Sequence, residues 1–189
     1  MKNLKIIAIA LLVAFGTTEA VAQTKKVDVS KSRVVWVAKK VTGGHEGTVN
    51  LKDGSLTFKG KKLAGGTFTV DMSSLTATDL KAGSGKEKLE GHLKSEDFFA
   101  TDKYPQSTLV FKKVTEKVNN AYTIEGDLTV KGITKPVVFD LLVTGDTAVS
   151  KFNIDRTKYD IKYGSGSFFD NLGDKAIKDE FEVNVSLAF

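Results

Sequence analysis

Tyr122-Thr123-Ile124-Glu125-Gly126-Asp127-Leu128-Thr129-Val130-Lys131 is the stretch that decides the fold class of this chain. Successive side chains of an extended strand point to opposite faces. Tyr122, Ile124, Gly126, Leu128 and Val130 therefore share one face, and Thr123, Glu125, Asp127, Thr129 and Lys131 share the other. An apolar face backed by a polar one is the mark of an antiparallel sheet with a core on one side and water on the other. Phe181, Val183, Val185, Leu187 and Phe189 repeat the pattern against Glu182, Asn184 and Ser186, as do Val137, Phe139, Leu141 and Val143. Around Val34, Trp36 and Ala38 the intervening Val35 and Val37 are apolar too, which predicts a strand covered on both faces.

Turn signals separate these runs: Thr42-Gly43-Gly44, Lys52-Asp53-Gly54, Ala64-Gly65-Gly66, Val118-Asn119-Asn120, Lys131-Gly132 and Gly145-Asp146. They predict about eight strands, near 27–41, 45–51, 54–59, 66–72, 107–116, 121–131, 136–145 and 148–163, with a further one at 180–189. A chain of successive hairpins with two prolines and hardly any helical period makes an all-β barrel or a sandwich. Closure removes edge strands, and about eight strands leave room inside for side chains or one small ligand, so an antiparallel eight-stranded barrel is the expected architecture. A sandwich with apolar faces pressed together would satisfy the same pattern.

Two segments interrupt the alternation. In 76–105, Leu89 and Leu93 stand at helical spacing, and Ser95 is placed to cap a short turn through Glu96, Asp97, Phe98 and Phe99. So long a connection inside one domain is typically functional, and a short helical lid is the expected form. In 164–178, Gly164-Ser165-Gly166-Ser167 precedes Phe168-Phe169, an apolar pair expected to tuck under a barrel end or to line an entrance.

At the N-terminus, Lys2 and Lys5 precede an apolar run from Ile6 to Phe15, and Ala20-Val21-Ala22 stands before Gln23. That is the pattern of a secretory signal peptide, so residues 1–22 are expected to be cleaved, leaving a single domain over 23–189 and a periplasmic location in a Gram-negative cell. Such a domain buries roughly 70% of its unfolded surface and needs no staple. The chain has no cysteine, which removes thiolate catalysis, disulfides, iron–sulfur clusters and thiolate zinc sites. A net charge of +5 is a mild excess. Lys25-Lys26, Lys39-Lys40 and Lys61-Lys62 read as solvated strand ends rather than a nucleic-acid patch, leaving at most a transient contact with a membrane surface.

Catalytic motifs are sparse. No G-x-S-x-G elbow occurs, and Gly83-Ser84-Gly85-Lys86 lacks the upstream glycine and the closing Ser/Thr of a phosphate loop. The acidic Asp170-Asn171-Leu172-Gly173-Asp174 lacks the alternation of a calcium loop. His45 and His92 are far apart in sequence with no third ligand at metal-site spacing, so no metal and no catalytic group is assigned. Asp155-Arg156 reads equally as a structural ion pair or as a charge aimed at an anionic ligand. What remains is a container for a lipophilic molecule, with Trp36, Phe68, Phe111, Leu128 and Phe139 on its expected inner wall.

His92-Leu93-Lys94-Ser95-Glu96-Asp97-Phe98-Phe99, Tyr104-Pro105, Phe111, Gly126 through Val137 and Ile154-Asp155-Arg156 together resemble the YceI-like family of periplasmic, lipocalin-like, polyisoprenoid-binding proteins. The resemblance runs over essentially all of 23–189. It implies an extended lipocalin-like barrel with a long apolar cavity, in which some members hold a polyisoprenoid such as a prenyl quinone or prenyl phosphate; it establishes no enzyme activity, and neither an enzyme nor a cofactor is expected. By the same resemblance His45 and Gly47 form an early H-x-G, while His92, Leu93, Phe98 and Phe99 belong to the lid and Arg156 to a late strand. Where many members have Arg-Asp before the lid histidine, this chain has Leu89-Glu90, which favours a neutral or quinone head group over a pyrophosphate.

Three functions fit these residues. The first is a binding module that carries or stores such a lipid. The second is an enzyme using His45, His92, Asp155 and Arg156 as an acid/base cluster on the same lipid. The third is an outer-membrane barrel, suggested by the alternating Phe181–Phe189 terminus and opposed by one tryptophan, four tyrosines and lysines on most strands.

Overall fold

A computed structural model describes residues 21–189, so nearly all of the expected leader lies outside the described residues. The strands are β1 (Ala22–Lys26), β2 (Arg33–Lys40), β3 (Gly44–Lys59), β4 (Lys62–Ala77), β5 (Gln106–Glu116), β6 (Ala121–Val130), β7 (Ile133–Thr144), β8 (Thr147–Asp155) and β9 (Ile177–Ala188). One helix, α1 (Lys86–Lys94), interrupts them. β6 is the strand its alternation predicts: Tyr122, Ile124, Gly126, Leu128 and Val130 are buried and each intervening residue is partly exposed.

Every strand pairing is antiparallel, in the order β1-β3-β2-β9-β8-β7-β6-β5-β4. A further pairing of β3 with β4 closes the sheet into a barrel and disposes of the sandwich alternative. β2 pairs with the first part of β3 and β1 with its last part, so the two share one position and the barrel has eight.

Three expected boundaries are corrected by local chemistry. The strand expected over 27–41 starts only at Arg33, because Asp28 folds a turn between the end of β1 and the start of β2. Its carboxylate accepts from the Ser30 amide at 3.1 Å and hydroxyl at 2.5 Å, and the Ser32 hydroxyl donates to its carbonyl at 2.7 Å. The hydrogen bond from Ser30, with a second from Lys31, draws the Asp28 carboxyl down to about 2. In β2 the outer Val35 and Val37 are only half-buried, so one face, not two, is covered.

The triplets Lys52-Asp53-Gly54 and Ala64-Gly65-Gly66 lie within β3 and β4 rather than at turns, and the hairpin bends instead at Gly60, where φ is 60°. Gly54 and Gly66 make room for an aromatic ring. A Cβ on Gly54 would stand 2.8 Å from the Phe68 ring, and one on Gly66 would stand 2.9 Å from Phe111. A register shift between Leu51 and Asp53 marks a bulge next to Gly54.

The strand expected over 148–163 ends at Asp155, whose carboxylate caps a 3-10 turn at Arg156–Tyr159 by accepting from the Thr157 amide at 3.0 Å. Inside the barrel the buried side chains form two clusters. One, beneath α1, includes Trp36, Met72, Leu75, Leu93 and Phe98; the other includes Leu56, Phe68, Tyr122, Ile124 and Phe139.

Candidate functional site

The two clusters do not fill the barrel. Between them run two apolar chambers of about 110 and 130 Å³. Val34, Val70, Ser107 and Val183 line both, so the chambers meet end to end along the barrel axis. A void of this size in a close-packed interior leaves its walls without partners, which a ligand can supply.

The far chamber is walled by Phe68, Phe111, Leu128 and Phe139, the inner residues expected from the alternation of β4 to β7. Their rings form a chain: Phe68 to Phe111 at 5.5 Å, Phe111 to Phe139 at 5.9 Å, and Phe139 stacked on Phe152 at 4.5 Å. The near chamber is walled by Trp36 and by Leu93, Phe98 and Phe99 of the lid.

The lid is fixed by its polar residues. Glu90 of α1 accepts from the Thr76 hydroxyl at 2.5 Å and the Ala77 amide at 2.9 Å, which ties the helix to the end of β4. The hydrogen bond from Thr76 holds the Glu90 carboxyl below its usual range despite partial burial. The Ser95 hydroxyl donates to the His92 carbonyl at 2.8 Å, so it closes α1 rather than opening the next turn. That turn is instead held by the Ser95 carbonyl, which accepts from Phe98 and Ala100, and it delivers Phe98 and Phe99 over the chamber. Phe99 meets Phe181 of β9 edge to face at 6.3 Å.

Arg156 borders the near chamber but is not on a strand, contrary to the expectation from the family pattern. Its guanidinium is 3% exposed and donates to the carbonyls of Lys178, Ile161, Tyr163 and Ile177 at 2.8–3.1 Å, with Asp179 Oδ1 at 3.6 Å. It staples Ile161 and Tyr163 to the start of β9. Burial draws this guanidinium below its ordinary value, with Asp179 opposing the shift.

Neither histidine lines a chamber. His45 Nδ1 lies 2.7 Å from Asp79 Oδ2 beside a shallow outer groove. His92 packs edge-on against Phe98 at 5.0 Å and Tyr163 at 4.4 Å. The early H-x-G has a packing reason instead, because a Cβ on Gly47 would strike the Thr76 carbonyl and stand 2.5 Å from the Trp36 indole. Phe168 and Phe169 are half exposed, with Lys162 Nζ 5.2 Å over the Phe168 ring, so the pair is not tucked beneath the barrel.

Sequence reading missed Ser107, Phe152 and Phe181 as wall residues. The signal was available for each: Ser107, Leu109 and Phe111 occupy alternate positions, as do Ser150, Phe152 and Ile154, and Phe181, Val183 and Val185. Among the described residues no three histidine or carboxylate side chains are grouped to hold a metal, and no helix is long and apolar enough to cross a membrane.

A family model described as the YceI-like domain matches residues 26–189. Among curated proteins, Protein YceI of Shigella flexneri is 34% identical over 99 residues, 52% of this chain and 49% of that protein. A UPF0312 protein of Shewanella denitrificans is 32% identical over 100 residues, 53% of this chain and 50% of that one. The chain thus spans about half the length of the curated relatives it matches. Among solved structures, BcnA of Burkholderia cenocepacia superposes with a TM-score of 0.69 at 24% identity, covering 86% of this chain and 99% of that one. A polyisoprenoid-binding domain of Saccharophagus degradans, implicated in plant cell wall breakdown, gives 0.56 at 14% identity, covering 86% and 95%. At these identities the two structures speak for the barrel alone.

Proposed function

From the premise that the chain belongs to the YceI-like domain family, we propose that it is a periplasmic binding protein that holds or carries a polyisoprenoid-like lipid in the barrel, without acting on it chemically. The observation that supports this most is the pair of joined chambers, whose walls are almost wholly apolar from Phe139 at one end to Phe98 and Phe99 at the other. A prenyl tail gains about 0.8 kcal/mol for each CH₂ removed from water, so an apolar wall alone gives tight retention.

The separation of His45 from the chambers and the edge-on packing of His92 speak against an acid/base cluster acting on a bound lipid, since proton transfer requires groups at about 3 Å. Phe168 and Phe169 stand in the loop that leads to Ile177 at the near chamber. Half-exposed rings there suit a transient touch on a membrane surface during loading.

The test is mass spectrometry of an organic extract from protein purified out of its native cells without detergent. A prenyl lipid at near-stoichiometric amounts, and a higher unfolding temperature for loaded than for stripped protein, are expected. An extract without lipid, together with equal unfolding temperatures after incubation with farnesol or a prenyl quinone, would overturn the proposal.

A further inference from the structure

Three buried side-chain polar atoms among the described residues have no hydrogen-bond partner in the protein: Trp36 Nε1, Ser107 Oγ and Asp179 Oδ1. Asp179 is accounted for by the Arg156 guanidinium 3.6 Å away. The other two belong to the cavity wall. Ser107 is 6% exposed and is one of the four residues where the chambers meet, the other three being valines. Trp36, 7% exposed, lines the near chamber with it. A buried polar atom without a partner is costly, and the next inward positions on β5 are Leu109 and Phe111, so an apolar residue would suit position 107 better if the cavity held only hydrocarbon.

The chemistry of the two groups narrows what they accept. The indole nitrogen only donates; the hydroxyl donates and accepts. Of the two cationic residues on the near chamber, Arg156 has its guanidinium engaged by four carbonyls and Lys178 is exposed to solvent. A phosphate or carboxylate at this depth would be a buried charge without a counter-charge. A neutral oxygen meets no such penalty.

We propose that Ser107 forms a hydrogen-bonding site inside the cavity, where the chambers meet, for a neutral carbonyl or ether oxygen partway along a bound lipid, with Trp36 a second unpartnered donor on the near-chamber wall. The site sorts oxygen-bearing lipids from plain hydrocarbon, and it rests on the reading of the barrel as a lipid container.

Stripped protein is titrated with dioctyl ketone and with n-heptadecane, which have the same chain length and differ by the central carbonyl, using the emission of Trp36, the single tryptophan, as the readout. Wild type should bind the ketone more tightly. Ser107→Ala should weaken ketone binding about 3- to 10-fold and leave the alkane within about two-fold, which lies below the effect of one hydrogen bond. The ligand-free unfolding temperature should not fall, because the hydroxyl has no protein partner to lose. A ketone bound no better than the alkane, equal losses for both, or a destabilised ligand-free variant would each overturn the site while leaving the container reading intact. Failure of wild type to bind either probe would overturn both.

Discussion

Trp36 and Gly47 face each other across β2 and β3, and a Cβ on the glycine would come within 2.5 Å of the indole. The ring covers its cross-strand neighbour because the neighbour has no side chain. That arrangement sets the near wall of the cavity and makes the glycine a packing requirement rather than a hinge.

Gly47→Ala should therefore destabilise the barrel by about 1–3 kcal/mol through overpacking, because the Thr76 carbonyl on the other side is backbone and cannot yield. Urea unfolding measures the loss. The emission of the single tryptophan should shift as well, since the ring must turn away from its seat. An unchanged midpoint with unchanged emission would show that the strands can part there at little cost.

Arg156 is expected to matter for the fold before it matters for any ligand. Arg156→Gln removes the donors of four buried or half-buried carbonyls and should cost about 3–5 kcal/mol, the range for stripping a partner from a buried charged network. Affinities for farnesyl phosphate and farnesol should then fall together. A loss confined to the phosphate would assign Arg156 to the head group after all.

The strands were legible because burial in a barrel wall follows the two-residue period, as Tyr122 to Val130 demonstrate. The hairpin of β3 and β4 was not, because Gly54 and Gly66 owe their presence to Phe68 and Phe111, and no local pattern distinguishes a glycine under a ring from a glycine in a turn. The aromatic wall could be read for the same reason as the strands. The place of Arg156 could not, since its partners are backbone carbonyls, which every residue possesses. Ser107 stood in the alternation throughout, a polar residue in an apolar register.

Acid should loosen the lid through Glu90. Its carboxyl is lowered from the ordinary value of 4.5 in the folded protein, chiefly by the Thr76 hydrogen bond. A lowered folded value means that the charged form stabilises the lid fully above about that ordinary pH, and that the contribution is lost as pH falls through the folded value. Hydrogen exchange at the Ala77 amide, which donates to Glu90, should accelerate on acidification relative to β6 amides. Glu90→Gln keeps an acceptor oxygen but no titration, so its exchange at that amide should lose this acid dependence. The same acid response in the variant would place the titrating group elsewhere.

The lid should also set how long a ligand stays. Leu93, Phe98 and Phe99 line the near chamber, and Phe99 is braced edge to face on Phe181 of β9. Replacing Phe98 and Phe99 by alanine removes two large apolar contacts that a tail gains only after it is inside. Contact losses of that kind appear mainly in the dissociation rate. If each ring contributes about 1–2 kcal/mol to a bound tail, release of a prenyl alcohol should be accelerated by one to three orders of magnitude, with capture changed by less than about ten-fold. Stopped-flow displacement from loaded protein measures the first rate and mixing with stripped protein the second. Phe98 also packs on His92 and Tyr163 and is mostly buried, so the double variant needs a control. Phe99→Ala alone, at the more exposed of the two rings, should give a smaller acceleration in the same direction with the fold intact. Release unchanged in both variants would mean that the tail leaves by the far end, past Phe68 and Phe111, and that α1 is a cap on the barrel rather than its gate.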